Sequence, residues 1–89
     1  MSSEVTWWGV VTCSSWVPIG DRRRRVAELE SRAEAADILA GKEYGDQDAP
    51  PKLTFRWSAP DDLGAALMVI EQATGAEPGD FEPGHPQRA

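Results

Sequence analysis

The sharpest alternation of apolar and polar positions in the chain lies at residues 52–57, where Leu53, Phe55 and Trp57 interleave with Lys52, Thr54 and Arg56. A period of two predicts a strand with one face on a core and one in solvent. Residues 5–13 predict a second strand, because β-branched and aromatic residues dominate there. Val5, Trp7, Gly9, Val11 and Cys13 fall on one face, and Thr6, Trp8, Val10 and Thr12 on the other. Bulky apolar groups on both faces suit a central strand, or a strand whose second face meets another molecule. Residues 14–20 read as a connection, with Pro18 and Gly20 as breakers.

The period then changes. Val26, Leu29, Ala33, Ala36 and Ala40 recur at spacings of three and four, predicting a helix over roughly residues 22–40. Asp21 is placed to cap its start and Gly41 to end it. Arg24, Glu28 and Glu34 fall on the wet side, with Arg24 and Glu28 spaced to pair. Residues 42–51, with one glycine, two aspartates and a Pro-Pro pair, read as a loop. Ser58 and Asp61 form a capping-box start with Pro60 in the first turn of a second helix. Leu63, Ala66, Leu67 and Ile70 line one face of that helix and Gly75 stops it. Met68 and Val69 extend its apolar surface beyond one stripe, as in a helix that is deeply buried or part of an interface.

These elements predict a small α+β domain over residues 1–75, in the order β-α-β-α. Residues 76–89 contain two Glu-Pro-Gly units and Phe81 as the one large apolar side chain, so a flexible acidic Pro/Gly-rich tail is expected. Two strands separated by a helix are expected to pair in parallel through a right-handed crossover. A two-stranded sheet is narrow for independent stability. It would be widened by a hairpin within residues 5–19 or by homodimerisation, of which the dimer is preferred.

Charge changes this picture at one place. The net charge of −6 argues against general affinity for nucleic acid or membranes. Yet Arg22, Arg23, Arg24 and Arg25 are consecutive, and without them five basic residues face fifteen acidic ones, a balance of −10. At a helix start the macrodipole disfavours cations. Either Asp21, Glu28 and neighbouring carboxylates neutralise the run, or it is an anion site in which guanidinium groups join free helix N–H groups. Ser14, Ser15 and Gly20, on the connection leading into it, are candidate further donors. Trp57 reads as core. Trp7 and Trp8 cannot share one face of a strand, so one of them needs another partner. Trp8 and Trp16 with the arginine run make a recognition surface of the kind enriched at binding hot spots.

Catalytic chemistry finds little support. Cys13-Ser14-Ser15 lacks the arginine six positions after the cysteine that a phosphatase loop needs, since Ile19 stands there. His85, the only histidine, lies in the expected tail. Asp46 with Asp48, and Asp61 with Asp62, fit turn and cap roles, and no metal or cofactor site is predicted. One cysteine permits no intramolecular disulfide, the N-terminus lacks a signal-peptide n-region, and no apolar run reaches membrane-spanning length, so a cytoplasmic protein is expected. The function these features favour is a non-enzymatic interaction module that binds and inhibits a protein partner by occlusion, with the character of a phage or mobile-element product. Trp8 or Trp16 would anchor in an apolar pocket and the arginine run would engage carboxylates around it. The alternative is a nucleic-acid-binding protein that places the same arginines on phosphates.

Overall fold

In strand β3 (Lys52–Pro60) Leu53, Phe55, Trp57 and Ala59 are buried, and Lys52, Arg56 and Ser58 are exposed, as their alternation requires. The structure, a computed structural model, describes residues 3–14, 18–45 and 51–89. Strand β1 (Glu4–Val11) pairs antiparallel with β3 along its whole length, with Trp7 in register with Trp57 and Gly9 with Phe55. Helix α1 (Ile19–Ala35) follows, then β2 (Leu39–Glu43), β3, helix α2 (Leu63–Thr74), a 3-10 turn at Pro78–Asp80 and the short strand β4 (Gln87–Arg88). The sheet has the order β2-β3-β1-β4 with every neighbouring pair antiparallel. The class is α+β, as expected, in a split β-α-β arrangement: α1 connects β1 to β2, and β3 lies between them.

Several boundaries differ from the sequence expectation, each for a local reason. Helix α1 starts at Ile19 with Pro18 at its N-cap, one turn earlier than predicted, and Asp21 lies inside its first turn. It also ends earlier. Asp37 adopts a left-handed φ of 59°, which aspartate tolerates better than most residues. Its N–H donates to the Glu34 carbonyl at 3.1 Å, and the Ile38 N–H donates to that of Ala33 at 3.0 Å, a Schellman ending that glycine was not needed for. Val26, Leu29 and Ala33 of the predicted stripe are buried, whereas Ala36 and Ala40 are exposed beyond the helix. Leu39–Glu43, assigned in advance partly to helix and partly to loop, is instead β2. It is anchored to α1 by Lys42, which bridges Glu30 at 3.3 Å and Glu34 at 3.7 Å, and by the Tyr44 hydroxyl, which donates to Glu30.

The missed strand reverses the expected sheet. With β2 inserted, β1 and β3 are adjacent and antiparallel rather than parallel. Width comes from β2 and β4, not from a hairpin within residues 5–19, so the sheet needs no second copy of the chain to reach four strands. The second helix starts later than predicted because Ser58 to Pro60 continue the β1 ladder. Asp62 is its N-cap, and its carboxylate accepts the Ala65 N–H at 2.9 Å. Gly75 ends it with a φ of 80°, as expected.

Both helices pack on one sheet face, where Val26, Leu29 and Ala33 of α1 and Ala66 and Ile70 of α2 join Trp7, Val11, Leu53, Phe55 and Trp57. The two core indoles have partners: Trp7 Nε1 donates to the Pro60 carbonyl and Trp57 Nε1 to that of Ala66, each at 3.1 Å. The buried Thr74 hydroxyl donates to the Ile70 carbonyl at 2.7 Å and accepts the Ala76 N–H at 3.1 Å.

Residues 76–89, expected as a flexible tail, are part of the domain. Ala76, Asp80 and Phe81 are buried, and the segment runs along the edge of β1 to add β4. One large apolar residue suffices because the sheet has a slot for it. Phe81 lies edge-on to Phe55 with centroids 6.4 Å apart and 6.0 Å from Trp57, over the position where Gly9 has no side chain. A Cβ at Gly9 would meet the Phe81 ring at 2.7 Å. Gly9→Ala is therefore expected to lower unfolding stability by about 1–3 kcal/mol in urea titrations, as overpacking does, while an alanine at the open helical position Gly20 does not.

Candidate interaction surfaces

The arginine run and Trp8, expected to act together, lie on opposite sides of the sheet. Helix α1 covers the face that holds Trp7, and alternation turns Trp8 to the other face. Because α1 begins at Ile19, the run occupies its fourth to seventh positions. The macrodipole penalty fades within the first turn, so these cations are not misplaced. At 100° per residue they also point in four directions. Arg23 and Arg24 are exposed, and Arg22 is half-buried, its Nε buried without a hydrogen-bond partner among the described residues.

Arg25 is committed to the fold. Its Nη2 donates to Asp80 Oδ2 at 3.0 Å and to the Gly75 carbonyl at 2.9 Å, and its Nε approaches Asp80 Oδ1 at 3.5 Å. Asp80 is fully buried. Its Oδ2 also accepts the Glu77 N–H at 2.7 Å, and its carbonyl accepts the N–H groups of Thr12 at 3.0 Å and Cys13 at 2.9 Å. Burial acts to lower the pKa of Arg25, but the hydrogen bond and charge of Asp80 outweigh it and hold the guanidinium above its ordinary range.

Of the expected anion donors, two lie within the described residues. The Ser14 hydroxyl is engaged with that of Thr12 at 2.9 Å, and Gly20 lies within the first turn of α1. Ser15 and Trp16 lie outside the described residues, as do Asp46 and Asp48. Asp61, paired in sequence with the cap residue Asp62, forms an ion pair with Arg88 at 3.1 Å.

What the fold does assemble is the sheet face opposite the helices. Trp8 is in register with Arg56, Thr6 with Ser58 and Val10 with Thr54, so these side chains share that face across the two central strands. Arg56 is exposed and Trp8 half-buried. A shallow concavity of about 360 Å³ adjoins them, bounded by Val10, Gly41, Glu43, Lys52, Thr54 and Glu82, and Lys52 pairs with Glu82 at 3.5 Å. Beside Trp8 lies His85, with ring centroids 4.7 Å apart. Its Nδ1 accepts the Val10 N–H at 2.9 Å. The outward position of Arg56 was legible in the alternation, but its neighbour across the sheet depended on an antiparallel register that sequence did not reveal.

Two groups with catalytic chemistry are engaged within the fold. The Cys13 thiol is buried and its pKa is pushed up to about 12, first by burial and then by the charge and hydrogen bond of Asp80. His85 uses its unprotonated nitrogen as an acceptor for the backbone. Among the described residues no helix is long and apolar enough to cross a membrane. The chain matches no protein-family model, and comparisons with curated proteins and with solved structures gave no match.

The state of Cys13 has a direct chemical consequence. Moving a thiol from its ordinary value of 9.0 to about 12 lowers the thiolate fraction at pH 8 by roughly a thousandfold. Alkylation of Cys13 by iodoacetamide at pH 8 is expected to be at least about 100-fold slower in the native protein than in urea. The same proton makes native stability fall above about pH 9 more steeply in the wild type than in Cys13→Ala, because the folded state keeps a proton that the unfolded chain has released.

Proposed function

We propose that this chain is a non-catalytic interaction module that binds a protein partner through the helix-free sheet face centred on Trp8 and Arg56. The observation that carries this reading is their adjacency: an indole and an exposed guanidinium, in register on neighbouring central strands, on a face that neither helix covers. Trp and Arg are the residues most enriched at binding hot spots, and the pair offers an apolar anchor next to a charge. Thr6, Thr54 and Ser58 supply a polar rim able to hydrogen-bond. The partner surface this fits presents an apolar or aromatic side chain to Trp8 and a carboxylate to Arg56. Binding acts by occlusion, since no group on the face is poised for chemistry. The single free thiol supports a reducing, cytoplasmic setting.

Single-stranded nucleic acid also stacks on aromatics of open sheet faces. Charge favours a protein instead. Glu43 and Glu82 share the face with Lys52 and Arg56, and Lys42, which also borders the concavity, is paired with Glu30 and Glu34 of α1, which leaves no surplus of positive charge for a phosphate backbone. Of the arginine run on α1, Arg25 is bound to Asp80 and is not available to a phosphate.

Affinity capture with four baits tests this reading: wild type, Trp8→Ala, Arg56→Ala and the helix variant Arg23→Ser/Arg24→Ser, each checked for native fold by circular dichroism. One protein retained at stoichiometric level through nuclease treatment and on the helix variant, but bound about 30-fold more weakly by Trp8→Ala, is the expected result, since a hot-spot truncation costs about 2 kcal/mol or more. Undiminished binding by both sheet-face variants would overturn the assignment, and recovery abolished by nuclease would replace the protein partner with nucleic acid.

A further inference from the structure

The segment after Phe81 lies along the free edge of β1, held there by hydrogen bonds and by the ion pairs Lys52–Glu82 and Asp61–Arg88. The Glu82 N–H donates to the Val10 carbonyl at 2.9 Å, the Val10 N–H donates to His85 Nδ1 at 2.9 Å, and the Ala89 N–H donates to the Thr6 carbonyl at 2.9 Å. Gln87 and Arg88 pair with Trp8 and Trp7. One of these bonds differs in kind from the rest: the Val10 amide is held by a side chain that can gain a proton. An imidazole accepting through Nδ1 carries its proton on Nε2, and a second proton can only go to Nδ1. Protonation and the Val10 hydrogen bond are mutually exclusive.

We propose that His85 is a pH-sensitive latch: its neutral ring clasps Val10 and covers Trp8, and protonation releases this strap from the edge of β1. The groups facing it from the elements packed nearby are few. Within the strap, Glu82 is ion-paired with Lys52 of β3. Lys42 and Glu43 of β2 border the same concavity, and Arg56 of β3 stands in register with Trp8. A protonated ring can still rest on the Trp8 indole as a cation–π pair. It would, however, face the Val10 N–H with a second donor, so that amide rather than tryptophan fluorescence reports the latch. The sign follows: the clasped state is complete at neutral pH and is lost as pH falls. What uncovering Trp8 does for a partner rests on the sheet-face reading above, whereas the latch itself does not.

Amide hydrogen exchange by nuclear magnetic resonance tests it, with Phe55 in the middle of β3 as internal reference. A proton bound only in the released state multiplies the opening equilibrium by about tenfold between pH 7.5 and 5.5. After correction for intrinsic exchange, protection of Val10 is expected to fall about tenfold over that range while protection of Phe55 holds. His85→Asn keeps an oxygen where Nδ1 lies and does not titrate, so its Val10 protection should be flat. A wild-type Val10 protection unchanged over this range, or the same fall in His85→Asn, would overturn the latch. The imidazole nitrogen resonances of the wild type at pH 7.5 give an independent check that needs no variant. A bare Nδ1 with a protonated Nε2 is expected, and the opposite tautomer would also overturn the proposal.

Discussion

The carboxylate and the carbonyl of Asp80 together hold the parts of this molecule that its sequence keeps far apart. Arg25, fifty-five positions earlier, reaches the carboxylate from α1, and the Thr12 and Cys13 amides reach the carbonyl from the end of β1. A buried ion pair is weak evidence of stability in itself, because desolvation offsets most of its Coulomb energy. Here the pair is hydrogen-bonded on several sides: the Glu77 N–H caps the carboxylate and the Gly75 carbonyl takes a second bond from the same guanidinium nitrogen. Its value lies in specification. Asp80 is the last residue of the 3-10 turn, and its neighbour Phe81 enters the slot above Gly9. Cys13, with a left-handed φ of 55°, is held in that conformation by its bond to Asp80. A single buried aspartate thus fixes the corner where β1 ends, the face of α1 that looks inward, and the path of the chain after α2.

That path determines which sheet surface stays open. Once Phe81 is seated, the remaining residues can only follow the edge of β1, which brings His85 beside Trp8 and places β4 next to it. The helices take the opposite face because the apolar positions of β1 and β3 lie there. What remains uncovered is a sheet surface carrying one half-buried indole, one exposed guanidinium and several hydroxyls. Cys13 and Asp80, the groups whose chemistry stands out in the sequence or the core, are consumed in building the fold rather than displayed on it.

The two central strands and both helices were legible from periodicity, since Leu53, Phe55, Trp57, Val26, Leu29 and Ile70 each obey the spacing that burial imposes. β2 was not, because Leu39–Glu43 contains glycine and charges and takes its strand character from pairing with β3, a tertiary influence that overrides propensity. The C-terminal segment was misread for a related reason. Composition registers how much apolar surface a segment carries but not whether a slot such as that over Gly9 awaits it. Of the candidate site, Trp8 stayed on an accessible face, as its position next to Trp7 required. Arg25 did not, because its partner Asp80 lies in a segment that had looked unstructured, whereas Arg23 and Arg24 are exposed. Arg56 was seen as outward-facing, but only the antiparallel register brings it to Trp8.

A double-mutant cycle on Arg25 and Asp80 tests the role of this pair most directly, using Arg25→Met, Asp80→Asn and their combination in urea unfolding, with amide exchange at Thr12 and Cys13 as the local readout. If Asp80 is the anchor, Asp80→Asn lowers stability by about 3 kcal/mol, as breaking a buried pair does. The double variant then loses clearly less than the sum of the singles, and the Thr12 and Cys13 amides lose protection with Asp80→Asn. Additive single effects below about 0.5 kcal/mol, with both amides still protected, would contradict it.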